Sequence, residues 1–217
     1  MAGMDFAEIL GGVRVIPVVE IPQVADAVPL ARALSAAGIP CGEITLRTAS
    51  AVEAMAAIAE EFPDFLLGAG TVLTTEQADA AVAAGARFLV APGVDGGVIG
   101  WAQERGVPIL PGACTPTEIM ATRARGIMTV KLFPAEACGG LTYLRAVAAP
   151  FPDMQFVPTG GVSAGNLAGY LAEKRVVACG GSWMVRRDLI ASGEFGKIEQ
   201  LAAEAVAIAA AVPAVCI

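Results

Sequence analysis

The sequence predicts an α/β fold, a single (β/α)8 TIM barrel over residues 1–217, and three observations support it. Short β-branched runs alternate with alanine-rich segments of helical spacing, which is typical of parallel strands covered by helices. Eight such strands occur, and no proline-rich or serine-rich linker separates them. A hydrophobic content of 56% in 217 residues suffices for one large core. An open, doubly wound sheet is the alternative.

The predicted strands are short runs rich in β-branched and other apolar residues. In chain order they cover residues 13–19, 41–46, 65–69, 87–91, 107–110, 127–133, 155–158 and 176–179. Segments with apolar residues at helical spacing lie between them, several behind a serine, threonine or aspartate that favours a helix start. These predicted helices cover residues 25–36, 52–61, 76–84, 98–105, 117–125, 166–172 and 197–211. Four helices are followed by a glycine that suits a left-handed end residue: Gly38, Gly85, Gly106 and Gly126.

Charge and composition exclude several classes of protein. The chain has 14 basic and 21 acidic residues, a net charge of −7 and no basic cluster, which argues against a nucleic-acid partner. It contains no histidine, so the usual proton shuttle at neutral pH and the commonest ligand of transition metals are both missing. Acid–base chemistry must therefore come from carboxylates, lysine, tyrosine or water. A small anionic substrate remains compatible with a locally positive site.

The cysteines and the apolar runs indicate where the protein resides. Five dispersed cysteines form no C-x-x-C pair: Cys41, Cys114, Cys138, Cys179 and Cys216. We therefore expect reduced thiols and a cytoplasmic location. The longest apolar run, 205–215, is shorter than the roughly 18–20 residues that a membrane span needs. The N-terminus also lacks the basic and apolar regions of a signal peptide, so the sequence predicts a soluble, unsecreted protein.

Lys131 interrupts the predicted strand 127–133, which otherwise consists of residues suited to burial. Burial without a full counter-charge disfavours the protonated form and leaves an amine that is nucleophilic at neutral pH. The alternative is a lysine with a buried stem whose head reaches the rim. Its surroundings decide between the two interpretations.

Glu43, Thr45 and Arg47 alternate along the predicted strand 41–46 and its end, so a strand places them on one face. Because Ile44 and Leu46 suit the helix-facing side, we expect the three polar residues to point into the barrel, where unused charges are costly. The alternative is a structural ion pair between Glu43 and Arg47.

Three glycine-rich turns follow predicted strands. The turn GAGTV at 68–72 is a weak signal, because G-x-G alone is not a dinucleotide-binding fingerprint. The turns PTGGVS at 158–163 and CGGSW at 179–183 follow the last two predicted strands, where (β/α)8 enzymes bind phosphate. Each could be a simple turn, but a glycine pair at both positions favours phosphate binding.

Seven motifs, in order from about residue 10 to residue 210, resemble the 2-keto-3-deoxy-6-phosphogluconate (KDPG) aldolases, a family that includes the 4-hydroxy-2-oxoglutarate (KHG) aldolases. The motifs are GEITLRT at 42–48, GAGTV at 68–72, PG at 111–112, TPTE at 115–118, KLFPAE at 131–136, PTGG at 158–161 and GGSW at 180–183. They are specific as a set. The resemblance implies a homotrimeric (β/α)8 barrel that needs no metal and no cofactor.

The resemblance also implies roles for individual residues. Lys131 would form an imine with pyruvate or its adduct, and Glu43 would transfer protons. Arg47 and Thr71 would hold the pyruvyl carboxylate, and Phe133 would line the pocket. The hydroxylated and phosphorylated end of the substrate would contact Thr159, Gly160, Gly161, Gly181 and Ser182. The implied reaction splits KDPG, a small 2-keto acid phosphate, into pyruvate and glyceraldehyde 3-phosphate, and KHG into pyruvate and glyoxylate.

Other functions stay open. Residues 94–97 and 137–140 lie near the expected mouth without an assigned role, so the galactonate analogue of the substrate is an alternative. A sugar-phosphate isomerase or epimerase would use the same phosphate loops without a buried lysine, although the lack of histidine disfavours a metal-dependent one. A non-catalytic phosphosugar-binding protein would keep the loops without an ionisable pair in the barrel, and fold alone does not choose among these functions.

Overall fold

The computed structural model describes residues 6–213, and its strands are short and parallel. The ends of the predicted domain 1–217, Cys216 and the end of the apolar run 205–215 lie outside the described residues. The strands of the described part are β1 (Val15–Val19), β2 (Cys41–Thr45), β3 (Leu66–Gly70), β4 (Phe88–Val90), β5 (Ile109–Leu110), β6 (Gly112–Ala113), β7 (Thr129–Leu132), β8 (Gln155–Pro158) and β9 (Cys179–Gly181).

The strands form a curled parallel sheet in two hydrogen-bonded parts. Six strands pair in the order β5-β4-β3-β2-β1-β9, and three pair in the order β6-β7-β8. Isolated parallel bridges join Phe156 to Val176 and Thr159 to Gly180, between β8 and the segment that ends in β9. The sequence prediction of an α/β fold with parallel strands is therefore confirmed at this level.

Helices follow most strands and cover the sheet. They are α1 (Phe6–Leu10), α2 (Ala27–Ala36), α3 (Ala51–Glu61), α4 (Thr75–Ala83), α5 (Gly96–Arg105), α6 (Pro116–Arg123), α7 (Gly140–Ala148), α8 (Ala164–Leu171), α9 (Arg187–Ala191) and α10 (Phe195–Ala211), with a 3-10 turn at Val24–Asp26. The glycines expected at helix ends are all left-handed, with φ of 88°, 95°, 67° and 77° at Gly38, Gly85, Gly106 and Gly126. Within residues 6–213 no helix is both long and apolar enough to cross a membrane.

The elements differ from the predicted ones chiefly at their ends. The predicted strand 107–110 continues as β6 beyond Pro111, which interrupts the ladder because proline has no N–H to donate. In the predicted strand 176–179, Val176 makes only an isolated bridge to Phe156, and the regular strand β9 begins at Cys179. Sequence periodicity does not predict α1, α7 or α9. Two of these helices are five residues long, and α7 begins at a left-handed glycine, Gly140, with φ of 61°.

Close contacts at a glycine fix part of the core between sheet and helices. At Gly68 in β3 an added Cβ would lie 2.1 Å from Phe88 Cζ in β4, so the ring occupies the space of the missing side chain. Phe88 also meets Phe6 of α1 edge-on, with ring centroids 5.4 Å apart. At the amino end of β1, Arg14 donates a 2.8 Å hydrogen bond to the carbonyl of Ala209 and so fastens α10 to the sheet.

Candidate active site

A buried ion pair lies inside the curled sheet. Lys131 of β7 and Glu43 of β2 are 88 residues apart in sequence, yet Lys131 Nζ lies 3.2 Å from Glu43 Oε1. Their side chains are 7% and 3% exposed, and each supplies the opposite charge that the other needs in the interior. The expectation of a lysine without a full counter-charge is therefore wrong. So are the alternatives in which the lysine head reaches the rim or Glu43 pairs with Arg47.

Two residues pack against this pair, and a third helps to hold the strand that carries Glu43. Gly70 in β3 packs so closely against it that an added Cβ would lie 2.3 Å from Glu43 Oε1. The centroid of the Phe133 ring lies 5.2 Å from Lys131 Nζ, a cation–π contact. Thr45 is buried two residues along β2, and its hydroxyl donates a 2.8 Å hydrogen bond to a backbone carbonyl of β1. Packing thus fixes the pair on several sides.

A cavity of about 450 Å³ lies at the carboxyl ends of β1, β2, β7, β8 and β9. The predicted site residues in its lining are Arg47, Phe133, Thr159, Gly160, Gly161, Gly181 and Ser182. Lys131, Glu43 and Thr71 are not part of that lining, and Phe133 connects the two regions because its ring both borders the cavity and contacts Lys131. The carboxyl ends of parallel strands are where α/β proteins usually bind ligands.

Charged side chains surround the cavity mouth. Arg47 is 61% exposed because β2 ends two residues before it, so its expected position inside the barrel is wrong. Arg47 Nη2 lies 3.4 Å from Glu20 Oε2, and Arg187 Nη1 lies 2.7 Å from Glu20 Oε1. Arg186 and Asp188 form a neighbouring pair. The three guanidinium groups and two carboxylates leave a net charge of +1 on this wall, although the chain carries −7.

Thr71 has a strained backbone. It is the one non-glycine residue of the described part with a positive φ, 58°. Hydrogen bonds hold the residues on both sides, from Leu46 N to Gly70 O at 2.8 Å and from Val72 N to Val90 O at 3.1 Å. A left-handed β-branched residue costs on the order of 1–3 kcal/mol, and such strain concentrates at functional sites. Thr71 is therefore held by its neighbours next to the glycine that packs on the buried pair.

Two consecutive left-handed glycines form the turn after β8. Gly160 has φ of 96° and Gly161 has φ of 84°, directly behind the buried Thr159. Glu136 N donates to Gly160 O at 3.0 Å, and Asn166 Nδ2 donates to Gly161 O at 3.1 Å. These bonds fix the turn, and left-handed glycines of this kind let backbone N–H groups converge on an anion.

The segment after β9 adds residues that the sequence motifs did not assign. The Trp183 ring lies against Gly181, where an added Cβ would be 1.8 Å from Trp183 Cζ3. Trp183 Nε1 is buried and has no hydrogen-bond partner within the described part, which leaves a costly free donor in a residue of the cavity wall. Glu20, Arg186 and Arg187 were also missed. Their position in the sequence could have identified them, because each follows a strand that ends at this face.

The arrangement combines a buried amine, a carboxylate within hydrogen-bond distance and a cavity with a positive wall. An amine held away from water can add to a carbonyl carbon, and the adjacent carboxylate can carry protons to and from the reacting atoms. The arginines and glycine turns can hold anionic groups at a distance from that chemistry. The site suits covalent chemistry on a small anionic carbonyl compound.

Comparison with known proteins gives consistent findings. The sequence model of the KDPG and KHG aldolase family matches residues 6–201. The 2-dehydro-3-deoxy-phosphogluconate aldolase of Treponema pallidum is 52% identical over 201 residues, which cover 93% of this chain and 96% of the relative. The structure of the Legionella pneumophila KDPG aldolase, with pyruvate captured as a covalent carbinolamine intermediate, has a TM-score of 0.88 and 39% identity, covering 91% of this chain and 96% of that one. The Zymomonas mobilis enzyme, determined with 3-phosphoglycerate, has a TM-score of 0.86 and 37% identity, covering 93% and 94%.

Proposed function

We propose, from the premise that this chain belongs to the KDPG and KHG aldolase family, that it is a class I aldolase that cleaves KDPG to pyruvate and glyceraldehyde 3-phosphate. The observation in this molecule that carries the proposal is the buried pair of Lys131 and Glu43. An imine-forming lyase needs an amine nucleophile beside a group that moves protons, and an isomerase or a passive phosphosugar-binding protein does not need that pair.

In the proposed reaction the first steps form the imine. Glu43 Oε1 accepts a proton from Lys131 Nζ, and the neutral amine adds to the C2 ketone of the substrate. Glu43 then returns its proton to the departing hydroxyl, which leaves as water. The product is a protonated imine that can accept the electron pair of the C3–C4 bond. The distance of 3.2 Å between Nζ and Oε1 supports a direct transfer.

Cleavage uses the same carboxylate a second time. Glu43, directly or through one water, takes the proton of the C4 hydroxyl, and the C3–C4 bond breaks to give the aldehyde and an enamine on Lys131. The proton held by Glu43 then passes to C3 of the enamine. Water hydrolyses the resulting pyruvate imine and frees the lysine. One carboxylate therefore serves each proton transfer, which agrees with its burial beside the lysine.

Substrate binding is proposed for the cavity wall. Arg47 and Thr71 would hold the pyruvyl carboxylate, whereas Thr159 and the two glycine turns would hold the hydroxyl groups and the phosphate. The net positive wall and the left-handed glycines support this assignment. The turn residues are Gly160, Gly161, Gly181 and Ser182. Phosphate binding far from the reacting bond would improve the orientation of C2 toward Lys131.

We further propose that the curled sheet closes into a single-domain (β/α)8 barrel. The isolated bridges between β8 and the β9 segment support closure, and β5 and β6 count as one strand interrupted at Pro111. The family resemblance supports a homotrimer and a cytoplasmic location. Cleavage of KHG at the same lysine is also proposed, since it needs the same imine and no phosphate contact.

Borohydride reduction in the presence of pyruvate, followed by peptide mass mapping, tests the proposal. Only an imine is reduced to a stable secondary amine on lysine, and we expect the adduct on Lys131. Lys174 and Lys197 are exposed and serve as controls within the same chain. A folded protein that gains no adduct, or that gains it equally on all three lysines, would contradict the imine mechanism.

A further inference from the structure

Two cysteines meet outside the cavity described above. Cys114 directly follows β6, and Cys138 lies in the loop between β7 and α7, in a segment that the sequence motifs left without a role. Cys114 donates its S–H to Cys138, and the Sγ atoms are 2.6 Å apart although 24 residues separate them. Neither residue lines the cavity or takes part in the proposed reaction. Their proximity therefore calls for another explanation.

The surrounding backbone holds both thiols in place. Cys114 N donates to Glu118 Oε2 at 2.8 Å, and its carbonyl accepts a 2.5 Å hydrogen bond from Tyr143 Oη. Cys138 N donates to Pro134 O at 3.1 Å. Because Tyr143 belongs to α7, which follows the Cys138 loop, its hydrogen bond also joins the two loops. The sulfur atoms are positioned by this framework.

The other described cysteines provide a contrast. Cys41 and Cys179 are fully buried, so a dissolved oxidant does not reach them, and burial also raises the pKa of both thiols far above the ordinary value. Cys114 and Cys138 are half-buried and reach solvent. Burial is the main cause that raises the pKa of Cys114 to about 11, and the hydrogen bond to Cys138 is the second cause. At neutral pH this thiol therefore remains protonated.

We propose that Cys114 and Cys138 are an oxidisable dithiol that closes into an intrachain disulfide between the loops after β6 and β7. Peroxide is the oxidant. The Cys138 sulfur, which accepts the hydrogen bond, attacks it and becomes a sulfenic acid as the first water leaves, and Cys114 displaces the second water from that sulfur as the S–S bond forms. Two electrons pass from the sulfurs to peroxide, and a thiol reductant reverses the oxidation.

The disulfide would act on the rest of the molecule through the backbone. Ala135 and Glu136, just before Cys138, donate backbone hydrogen bonds to the carbonyls of Thr159 and Gly160 at 2.8 and 3.0 Å. A disulfide at Cys138 would therefore make the backbone that holds the glycine turn after β8 more rigid. Because the free thiols are already in contact, closure needs little backbone movement. We expect the oxidised protein to keep its activity and to resist unfolding.

The test uses the full chain treated with hydrogen peroxide. Remaining thiols are alkylated in denaturant, and peptides are mapped without reduction. We expect one peptide pair joined through Cys114 and Cys138, alkylation of Cys41 and Cys179, and reversal by a thiol reductant. The midpoint of thermal unfolding should rise by about 5 °C or more, because the link restricts the unfolded chain. Cys114→Ser and Cys138→Ser should each lose the joined peptide and the rise.

Two results would overturn the proposal. One is sulfinic acid at either cysteine, or a link to Cys216, without the joined peptide. The other is a joined protein that unfolds at a lower temperature than the reduced protein, since the link would then distort the loops. The reduced serine variants should cleave KDPG at the wild-type rate, which checks that neither substitution disturbs the fold.

Discussion

The buried pair and the cavity wall beside it use charge in different ways. Lys131 and Glu43 are almost completely enclosed and have each other as partners, whereas Arg47 and Arg187 are more than half exposed and share Glu20. Charges interact strongly in the interior and are fixed there by packing, but solvent and salt screen the wall. Changes to the pair should therefore remove chemistry, whereas changes to the wall should adjust affinity.

Lys131→Arg should have the largest effect. Guanidinium keeps the positive charge beside Glu43 but cannot form an imine, so KDPG cleavage should fall by roughly 10³-fold or more. Pyruvate release measures the rate, and thermal unfolding checks that the protein remains folded. Lys174→Arg changes an exposed lysine and should keep the wild-type rate. Near-normal cleavage by Lys131→Arg would place the nucleophile elsewhere.

Glu43→Gln should come next. The amide keeps the shape of the side chain but cannot carry the proton, so exchange of the pyruvate methyl protons should slow by roughly 10²-fold. Borohydride should still trap pyruvate on Lys131, although at a reduced rate. Deuterium incorporation from heavy water, followed by NMR, measures the exchange. Unchanged incorporation would leave Glu43 with only a structural role.

Gly70→Ala tests whether packing positions the carboxylate. The added methyl would lie 2.3 Å from Glu43 Oε1, so the side chain must move away from Lys131. We expect kcat to fall by about 10- to 100-fold with a smaller change in KM, as small displacements of catalytic groups are costly. The control is Gly196→Ala in α10, where an added Cβ meets nothing within 4 Å. Equal kinetics for both variants would show that Gly70 does not position the carboxylate.

Gly161→Val tests whether the glycine turn of the cavity wall binds the substrate phosphate. A side chain there would lie 2.5 Å from the Glu136 side chain and would strain a left-handed position, so KM for KDPG should rise by about tenfold. Cleavage of KHG, which lacks the phosphate, should fall much less. Gly193→Val, at φ of 73° in open space, controls for strain alone. Equal losses on both substrates would assign Gly161 to packing rather than phosphate binding.

Glu20→Gln should have the smallest effect. It frees Arg47 and Arg187 from a shared carboxylate, so KM for KDPG should fall by about two- to fivefold at low ionic strength and return toward wild type as salt is added. Glu61→Gln, which removes the exposed partner of Arg32, is the control and should leave KM unchanged. A higher KM in Glu20→Gln would mean that Glu20 orients the arginines for the substrate.

The sequence was most informative where a residue type conflicted with its surroundings. Lys131 and Glu43 stand out because each charge interrupts an apolar strand, and the glycine pairs stand out because they follow the last strands. The pairing of Lys131 with Glu43 across the sheet was not predictable. The alternation of residues along one strand relates Glu43 only to near neighbours such as Arg47. The end of β2 at Thr45 then placed Arg47 at the mouth.

Other features depended on three-dimensional position alone. Glu20 and Trp183 belong to the cavity wall because their strands end at the same face, and no spacing in the sequence relates them. Cys114 and Cys138 are 24 residues apart in the sequence, yet their loops converge. The helix α7 begins with a left-handed glycine, so the usual start signals are missing. Local patterns identify elements, whereas the curl of the sheet decides which of their ends meet.

The separation of 88 residues between Lys131 and Glu43 also bears on how the protein acquires activity. Contacts between distant parts of a chain form slowly, because a long loop must close before they stabilise anything. During refolding, helix content should therefore return before the capacity to trap pyruvate. Imine formation would then report the moment when the two halves of the chain have joined.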